Sequence, residues 1–240
     1  LAHRILWSVV VLLALILMQG RWQALRAEFH DWRRLRFYLL TTLLLSANWL
    51  LYIWAVQNGR ILEASLGYYI NPLVNVVLGV LFLRERLNPR QWAAVALAAI
   101  GVLVLIVGYG VVPWIALSLA LSFGSYGMLR KKAGHPATLG LGVETALLAP
   151  VALLFILTLA ARGTGALGGG DGRTDLLLLA AGLITVAPLL MFLEATRILR
   201  LSTVGLIQYM TPTLQFLLAV AVYREPFTAI HLAAFGCIWL

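Results

Sequence analysis

A single cysteine, Cys237, is all that 240 residues offer, which excludes a disulfide framework and a thiolate metal cluster. Charge is scarce as well, with Asp, Glu, Lys and Arg making up 11% of the chain. The four histidines are scattered at His3, His30, His135 and His231, outside any His-Glu-x-x-His run, and there is no paired-aspartate motif. Catalysis would need a nucleophile with its base, a metal constellation or paired carboxylates at one depth. The chain therefore reads as no enzyme, with no metal and no cofactor. Gly168-Gly-Gly-Asp-Gly172 lacks the Lys-Ser or Lys-Thr of a phosphate loop and reads as an external linker.

Apolar residues are what the chain has in excess: 62% of the total, at a mean hydropathy of +0.95. One soluble core cannot hide that much apolar surface, so lipid is the solvent. A helix needs about 20 apolar residues to cross roughly 30 Å of hydrocarbon. Runs with at most one charged residue fall near Ile5 to Gln19, Phe37 to Gln57, Leu62 to Leu83, Trp92 to Val107, Trp114 to Leu129, Leu139 to Ala160, Leu176 to Thr196 and Ser202 to Tyr223. A ninth starts near Ile230 and reaches Leu240 too short to cross, and the first residue is Leu1, so both ends read as cut. The fold class is an all-α polytopic membrane protein with about eight full spans and part of a last one.

The basic residues fall mostly on one side. Arg21, Arg26, Arg33, Arg34, Arg36, Arg84, Arg86, Arg90, Arg130, Lys131, Lys132, Arg197 and Arg200 occupy alternate loops, against Arg4, Arg60, Arg162, Arg173 and Arg224 opposite. This is the positive-inside pattern, and it places the Gly20 to Arg36 loop in the cytoplasm. The net charge of +9 thus encodes topology and not nucleic-acid binding. Trp22, Leu25, Phe29 and Trp32 recur at helical spacing among the arginines of that loop, as in an amphipathic helix lying on the inner surface. A cytoplasmic start requires one more helix before Leu1, and completing the ninth run makes ten.

Laid on itself, the sequence aligns Ala47 to Ile100 with Ala187 to Leu240 without a gap. Tyr69 meets Tyr209, Pro72 meets Pro212, Arg60 meets Arg200, and Arg84-Glu85 meets Arg224-Glu225. The shift carries the second run onto the seventh, an odd displacement that inverts the copy across the membrane. Inverted repeats with a site between them near mid-membrane are a recurrent plan of secondary transporters.

In Tyr68-Tyr69-Ile70-Asn71-Pro72-Leu-Val-Asn75 the proline lies near mid-span, where its missing N–H frees the carbonyl of Tyr68. Pro212 does the same for Gln208, beside Tyr209, Thr211 and Gln215. Two helices kinked at Pro72 and Pro212 and carrying amides and phenols can wall a polar cavity, although such groups also glue ordinary helix pairs. Asn48 and Tyr52 share a helix face and are further lining candidates, while Trp54 suits an interface anchor. Ala94, Ala98 and Gly101 make a small-residue packing face.

Sixteen residues separate Arg4 from Arg21, so a full span must include Arg4, either facing the cavity or snorkelling. Glu144 is a carboxylate near a span end that suits proton coupling or a structural ion pair, whereas Glu194 is more simply paired to Arg197 at i+3.

Asn48-Trp-Leu-Leu-Tyr-Ile-Trp-Ala-Val56, with Leu62-Glu-Ala-Ser-Leu-Gly-Tyr-Tyr-Ile-Asn-Pro-Leu-Val-Asn75 after it, resembles the RarD branch of the EamA transporters, in the drug/metabolite transporter superfamily. His3-Arg-Ile-Leu-Trp7-Ser8, Arg130-Lys-Lys132, Val143-Glu-Thr145 and Arg200-Leu-Ser-Thr-Val-Gly205 extend the resemblance along the chain, and Trp7 joins the substrate-lining candidates. The resemblance implies ten helices in two inverted five-helix EamA repeats: residues 1–107 lacking the first helix, and 108–240 with the last truncated. It also implies a multi-pass carrier of the bacterial inner membrane moving metabolites, amino acids or drugs by alternating access. The bilayer and a small-molecule substrate are the partners expected, with proton coupling open. A non-transporting assembly or sensor protein is the alternative, and the absence of a large soluble domain weighs against it.

Overall fold

The computed structural model describes residues 1–110, 114–165, 167–168, 172–221 and 229–239; side chains at 62, 109, 215–216, 218–219, 229–231 and 235 lie outside the description. Among the described residues every regular element is an α-helix. Hydrocarbon offers no partner for a free N–H or C=O, so a spanning backbone must bond to itself.

The helices are α1 (Ala2–Met18), α2 (Trp22–His30), α3 (Trp32–Gln57), α4 (Ile61–Leu83), α5 (Pro89–Tyr109), α6 (Trp114–Ala133), α7 (Ala137–Ala161), α8 (Gly172–Ile198), α9 (Leu201–Gln208), α10 (Met210–Ala221) and α11 (Ala229–Trp239). Five of them, α3, α4, α5, α7 and α8, are long and apolar enough to cross a membrane, and α1 with α2 forms a pair bent by 118°. Fewer helices qualify than the eight expected runs, for local reasons. The last turn of α6 carries Arg130, Lys131 and Lys132, and the run from Ser202 is broken into α9 and α10 at Tyr209.

Helix ends are written into the local sequence. The capping box Asn88-Pro-Arg-Gln91 starts α5: the Gln91 N–H donates to Asn88 Oδ1 at 2.8 Å and the Asn88 N–H to Gln91 Oε1 at 3.0 Å, with proline at the first turn. Gly110, at φ 63°, closes α5 in the left-handed conformation that costs glycine nothing. Arg84 takes the same conformation at φ 54° to end α4, and it is the one non-glycine residue with positive φ among those described.

The chain divides into two compact units, residues 1–43 with 133–195, and residues 44–132 with 196–240. The first holds α1, α2, the start of α3, α7 and most of α8. Ile16, Leu25, Tyr38, Leu139 and Val143 form its core. Gly142 lets α7 approach α1 closely, since a Cβ there would stand 2.8 Å from the Ile16 side chain. The second unit holds the rest of α3, α4 to α6, and α9 to α11. Its core joins Leu66 and Ile70 of α4, Val102 and Leu105 of α5, Ala116 and Ala120 of α6, and Ala234 of α11. The small-residue face of α5 packs as its composition suggests: Ala98 is buried, and a Cβ on Gly101 would lie 2.7 Å from the carbonyl oxygen of Ala234. Each unit draws on both sequence repeats, and the boundary at residue 107 falls inside α5.

A close approach to α4 is made at Gly205, where a Cβ would lie 2.7 Å from the carbonyl oxygen of Pro72 and 3.1 Å from Cβ of Asn75. Gly205→Ala should push α9 off α4 and destabilise the protein by about 1–3 kcal/mol, the usual range for overpacking. Gly236, whose Cβ would meet nothing within 4 Å, is the control for a thermal-unfolding comparison. Equal melting of G205A, G236A and the parent would show that the helices are not in close contact.

Candidate functional site

Within the second unit α4 and α9 run antiparallel. Glu85, just past the end of α4, meets the start of α9, while Pro72 and Asn71, further back in α4, lie beside Gly205 and Gln208. Arg84 makes the first contact possible, because its left-handed turn sends the Glu85 N–H back to the carbonyl of Gly79 at 3.0 Å. The Glu85 carboxylate then accepts from the N–H of Leu201 at 2.7 Å, the N–H of Ser202 at 2.9 Å and the Ser202 hydroxyl at 2.7 Å. A carboxylate at a helix amino end satisfies otherwise unpaired donors and meets the positive end of the helix dipole. Arg200, at the N-cap of α9, donates to the carbonyl of Arg86 at 3.1 Å and closes the clasp from the other side.

Deeper along the same contact three amides converge. Asn71 and Asn75 both donate through Nδ2 to Gln208 Oε1, at 3.4 and 2.5 Å. Asn75 is fully buried, and Gly124 of α6 makes room for it: a Cβ there would stand 3.2 Å from Asn75 Oδ1. Asn75 precedes the end of α4 by eight residues, about 12 Å of helix, and Gln208 lies seven residues past the start of α9, about 10 Å. The cluster thus lies well inside a hydrocarbon layer about 30 Å thick.

It is only partly satisfied. Asn71 Oδ1, Asn75 Oδ1 and the Tyr209 hydroxyl are buried and hydrogen-bond to no described group, a costly condition in a low-dielectric interior. The backbone gives way at the same place. α9 stops at Gln208 and α10 restarts at Met210, with the Tyr209 N–H reaching the carbonyl of Leu206 at 3.3 Å. Pro212 has no N–H to return to Gln208, which is the reason for a break here. Pro72, by contrast, lies inside an uninterrupted α4.

The other candidates are placed differently. Asn48 donates to the carbonyl of Leu119 at 2.8 Å and to Ser122 Oγ at 2.9 Å, a tie between α3 and α6. Tyr52 and Tyr68 make an edge-to-face ring pair at 6.1 Å, and Tyr69 packs on the Leu66–Ile70 core. Trp54, Trp114 and Arg60 form an aromatic and cation cluster where α3 ends and α4 begins, with the guanidinium carbon 5.6 and 5.9 Å from the two ring centres. The side chain of Gln215 lies outside the described residues.

Arg4, Trp7 and Glu144 belong to the first unit. Arg4 Nε donates to Thr185 Oγ1 at 2.9 Å. Thr185 stands thirteen residues, about 20 Å, from either end of α8, so Arg4 is held at membrane depth. Trp7 packs against Gly182, where no Cβ could fit, and its Nε1 is buried without a described partner. Glu144 is buried and accepts from Thr41 Oγ1 at 2.6 Å, and Glu194 accepts from the backbone N–H of Ala137 at 3.2 Å. Of the expected set, then, α4 and α9 bring together Asn71, Asn75 and Gln208, with Tyr209 the next residue along the chain. Sequence reading passed over Thr185 and Gly182, quoted Ser202 and Gly205 only as part of a resembling stretch, and noticed Glu85 only as a repeat marker. Its repetition with Arg84 at Arg224-Glu225 was the available signal.

Lipid-compatible helices with a polar cluster at depth define the class: a polytopic helical membrane protein. Comparison with known proteins gives the family. Residues 1–107 match the EamA-like transporter family. An uncharacterized transporter of Vibrio cholerae is 47% identical over 239 residues, spanning 100% of this chain and 79% of that one. Protein RarD of Escherichia coli is 45% identical over 240 residues, spanning 100% and 81%. A solved crystal structure superposes with a TM-score of 0.73 at 19% identity, covering 99% of this chain and 83% of the other, and supports the fold. The chain belongs to the EamA-like transporter family, as a RarD-type member of the drug/metabolite transporter superfamily.

Glu85→Ala removes all three hydrogen bonds at the start of α9 and should lower stability by about 2 kcal/mol, between a helix cap and a set of charge-assisted bonds. Glu85→Gln, which keeps one good acceptor, should recover part of that. Thermal unfolding of the purified protein reads both, and a melting point unmoved by E85A would rule out the clasp.

Proposed function

We propose that this protein is a carrier of small molecules (metabolites, amino acids or drugs) in the bacterial inner membrane, working by alternating access between two inverted five-helix repeats. The observation that carries this reading is the half-satisfied amide cluster at the break between α9 and α10. A part-buried Asn–Asn–Gln set with two buried acceptor oxygens that meet no described group is poor structural glue. It is well suited to exchanging its hydrogen bonds with a ligand or with another arrangement of the same helices. Related proteins described as transporters point the same way.

The repeat suggests how the exchange runs. In the present arrangement the second half of α4 is fastened to α9 by Glu85, by Gly205 and by Asn75 with Gln208. On the charge reading this is the cytoplasmic half of both helices. The repeat mates of Glu85, Gly205, Asn75 and Gln208 are Glu225, Ser65, Gln215 and Tyr68. Alternating access releases the set of Glu85, Gly205, Asn75 and Gln208 to open the cytoplasmic half, with substrate held beyond it. Asn71, Asn75, Gln208 and Tyr209 line that path in this reading, with Tyr68 and Tyr69 on α4 and Asn48 and Tyr52 on α3 as further candidates. Within the first unit, Arg4 and Trp7 are substrate-contact candidates in their own right, and Glu144 is the group for proton coupling.

Proteoliposomes holding the full-length protein, tested with amino acids and amphipathic drugs with and without a proton gradient, provide the test. Asn75→Leu and Gln208→Leu should each reduce flux at least about tenfold, the effect of losing about 1.4 kcal/mol at the rate-limiting barrier, while membrane insertion and yield stay unchanged. Normal flux in both variants would overturn the site. No flux and no ligand-induced stabilisation in the parent would favour a non-transporting assembly or sensor role.

A further inference from the structure

The elbow joining α1 to α3 has no place in the carrier cycle above, and its chemistry is specific. α1 and α2 meet at 118°, with Gly20 at φ 64° in the turn, so the nine-residue α2 lies across the end of two apolar helices and not along them. Its orientation is fixed by two inward side chains. Leu25 joins the core of Ile16, Tyr38, Leu139 and Val143. Glu28, also buried, accepts from Arg34 Nη1 at 2.7 Å and from the Tyr38 hydroxyl at 3.3 Å.

The second acid of the elbow is engaged too. Asp31 accepts from the backbone N–H groups of Arg33 and Arg34 at 2.9 and 3.3 Å and pairs with Arg34 Nε at 3.2 Å. Arg34 therefore neutralises both carboxylates. Arg21, Arg26, Arg33 and Arg36 are exposed and form no ion pair with a described residue. Beside them stand Trp22, Phe29 and Trp32, at 45%, 37% and 64% exposure, and Met18 at 84%. Trp22 and Phe29, seven residues apart, share one flank of α2, and Arg26 is one turn from each.

We propose that α2 and the first turn of α3 form a binding surface for anionic phospholipid headgroups. Charge complementarity carries the choice of partner: four exposed guanidinium groups without an ion-pair partner fall between residues 21 and 36, while of the two carboxylates there Glu28 is buried and Asp31, though exposed, is paired with Arg34. Guanidinium is a planar fork that matches phosphate oxygens two at a time. Depth selects a lipid over a soluble ligand. The elbow joins α1 to the membrane-crossing α3, and the exposed indoles and Phe29 supply the apolar contact that a headgroup and its acyl boundary offer. Arg34 is a positioning residue, because it pairs with both Glu28 and Asp31 and so leaves the other guanidinium groups without a competing carboxylate.

The test uses the purified full-length protein in neutral detergent, titrated with short-chain phosphatidylglycerol, short-chain phosphatidylcholine or inorganic phosphate and monitored by thermal unfolding. Phosphatidylglycerol should raise the melting temperature in a salt-sensitive manner, and phosphatidylcholine and phosphate should not. The fourfold variant R21Q/R26Q/R33Q/R36Q should unfold like the parent without lipid, and its apparent lipid affinity should fall at least about tenfold. R26Q/R33Q should fall between, which preserves the test if the fourfold variant does not fold. R86Q/R90Q, which removes as many charges as R26Q/R33Q but elsewhere, should respond as the parent does. An equal response from the elbow variants and the parent, an equal loss in R86Q/R90Q, or the same shift with inorganic phosphate would overturn the proposal.

Discussion

The second unit depends on one electrostatic contact, the Glu85 carboxylate at the amino end of α9. Its three hydrogen bonds fix the start of α9 against the end of α4. With that end fixed and the helices antiparallel, Gly205 meets the Pro72 carbonyl and Gln208 arrives opposite Asn71 and Asn75. In lipid there is little hydrophobic force to drive helices together, so small residues and a few strong polar contacts set their register. The contact lies at a helix end, where a carboxylate costs less than it would at mid-membrane.

The first unit solves a similar problem with different groups. Arg4 is tied to Thr185 halfway along α8, Glu144 to Thr41, and Glu28 to Tyr38 and Arg34. The Tyr38 hydroxyl also lies 2.8 Å from His135 Nδ1, which brings the loop before α7 against α3. Each of these ionisable groups has a polar partner on another helix, so the polar residues report which helices are neighbours. Gly142 and Gly182 supply the space that lets those helices come close.

Much of this was legible beforehand because lipid imposes simple rules. Long apolar runs must be helices, and α3, α4, α5, α7 and α8 appear where the runs were, extended mainly at their ends. The amphipathic spacing of Trp22, Leu25 and Phe29 corresponds to a real helix turned away from α1. Pro212 marked a weak point, and the helix breaks three residues earlier, where the proline leaves a carbonyl without its donor. Pro72, an equal signal in sequence, sits in a continuous helix, because proline removes one hydrogen bond and neighbouring packing decides whether the helix opens.

Local chemistry and the solvent settle, from the order of residues alone, that the chain is helical, roughly where each helix runs, that the arginines gather in alternate loops, and that amides stand beside the two prolines. Helix packing selected which of those polar groups meet. Asn48 turned to α6 while Asn71 and Asn75 turned to Gln208, and Arg4 found Thr185 far along the chain. Composition cannot distinguish these outcomes, since any asparagine in a span must find a partner. Which partner it finds depends on the rotation and register of helices, set here by glycines and by one carboxylate whose roles are invisible until the helices are packed.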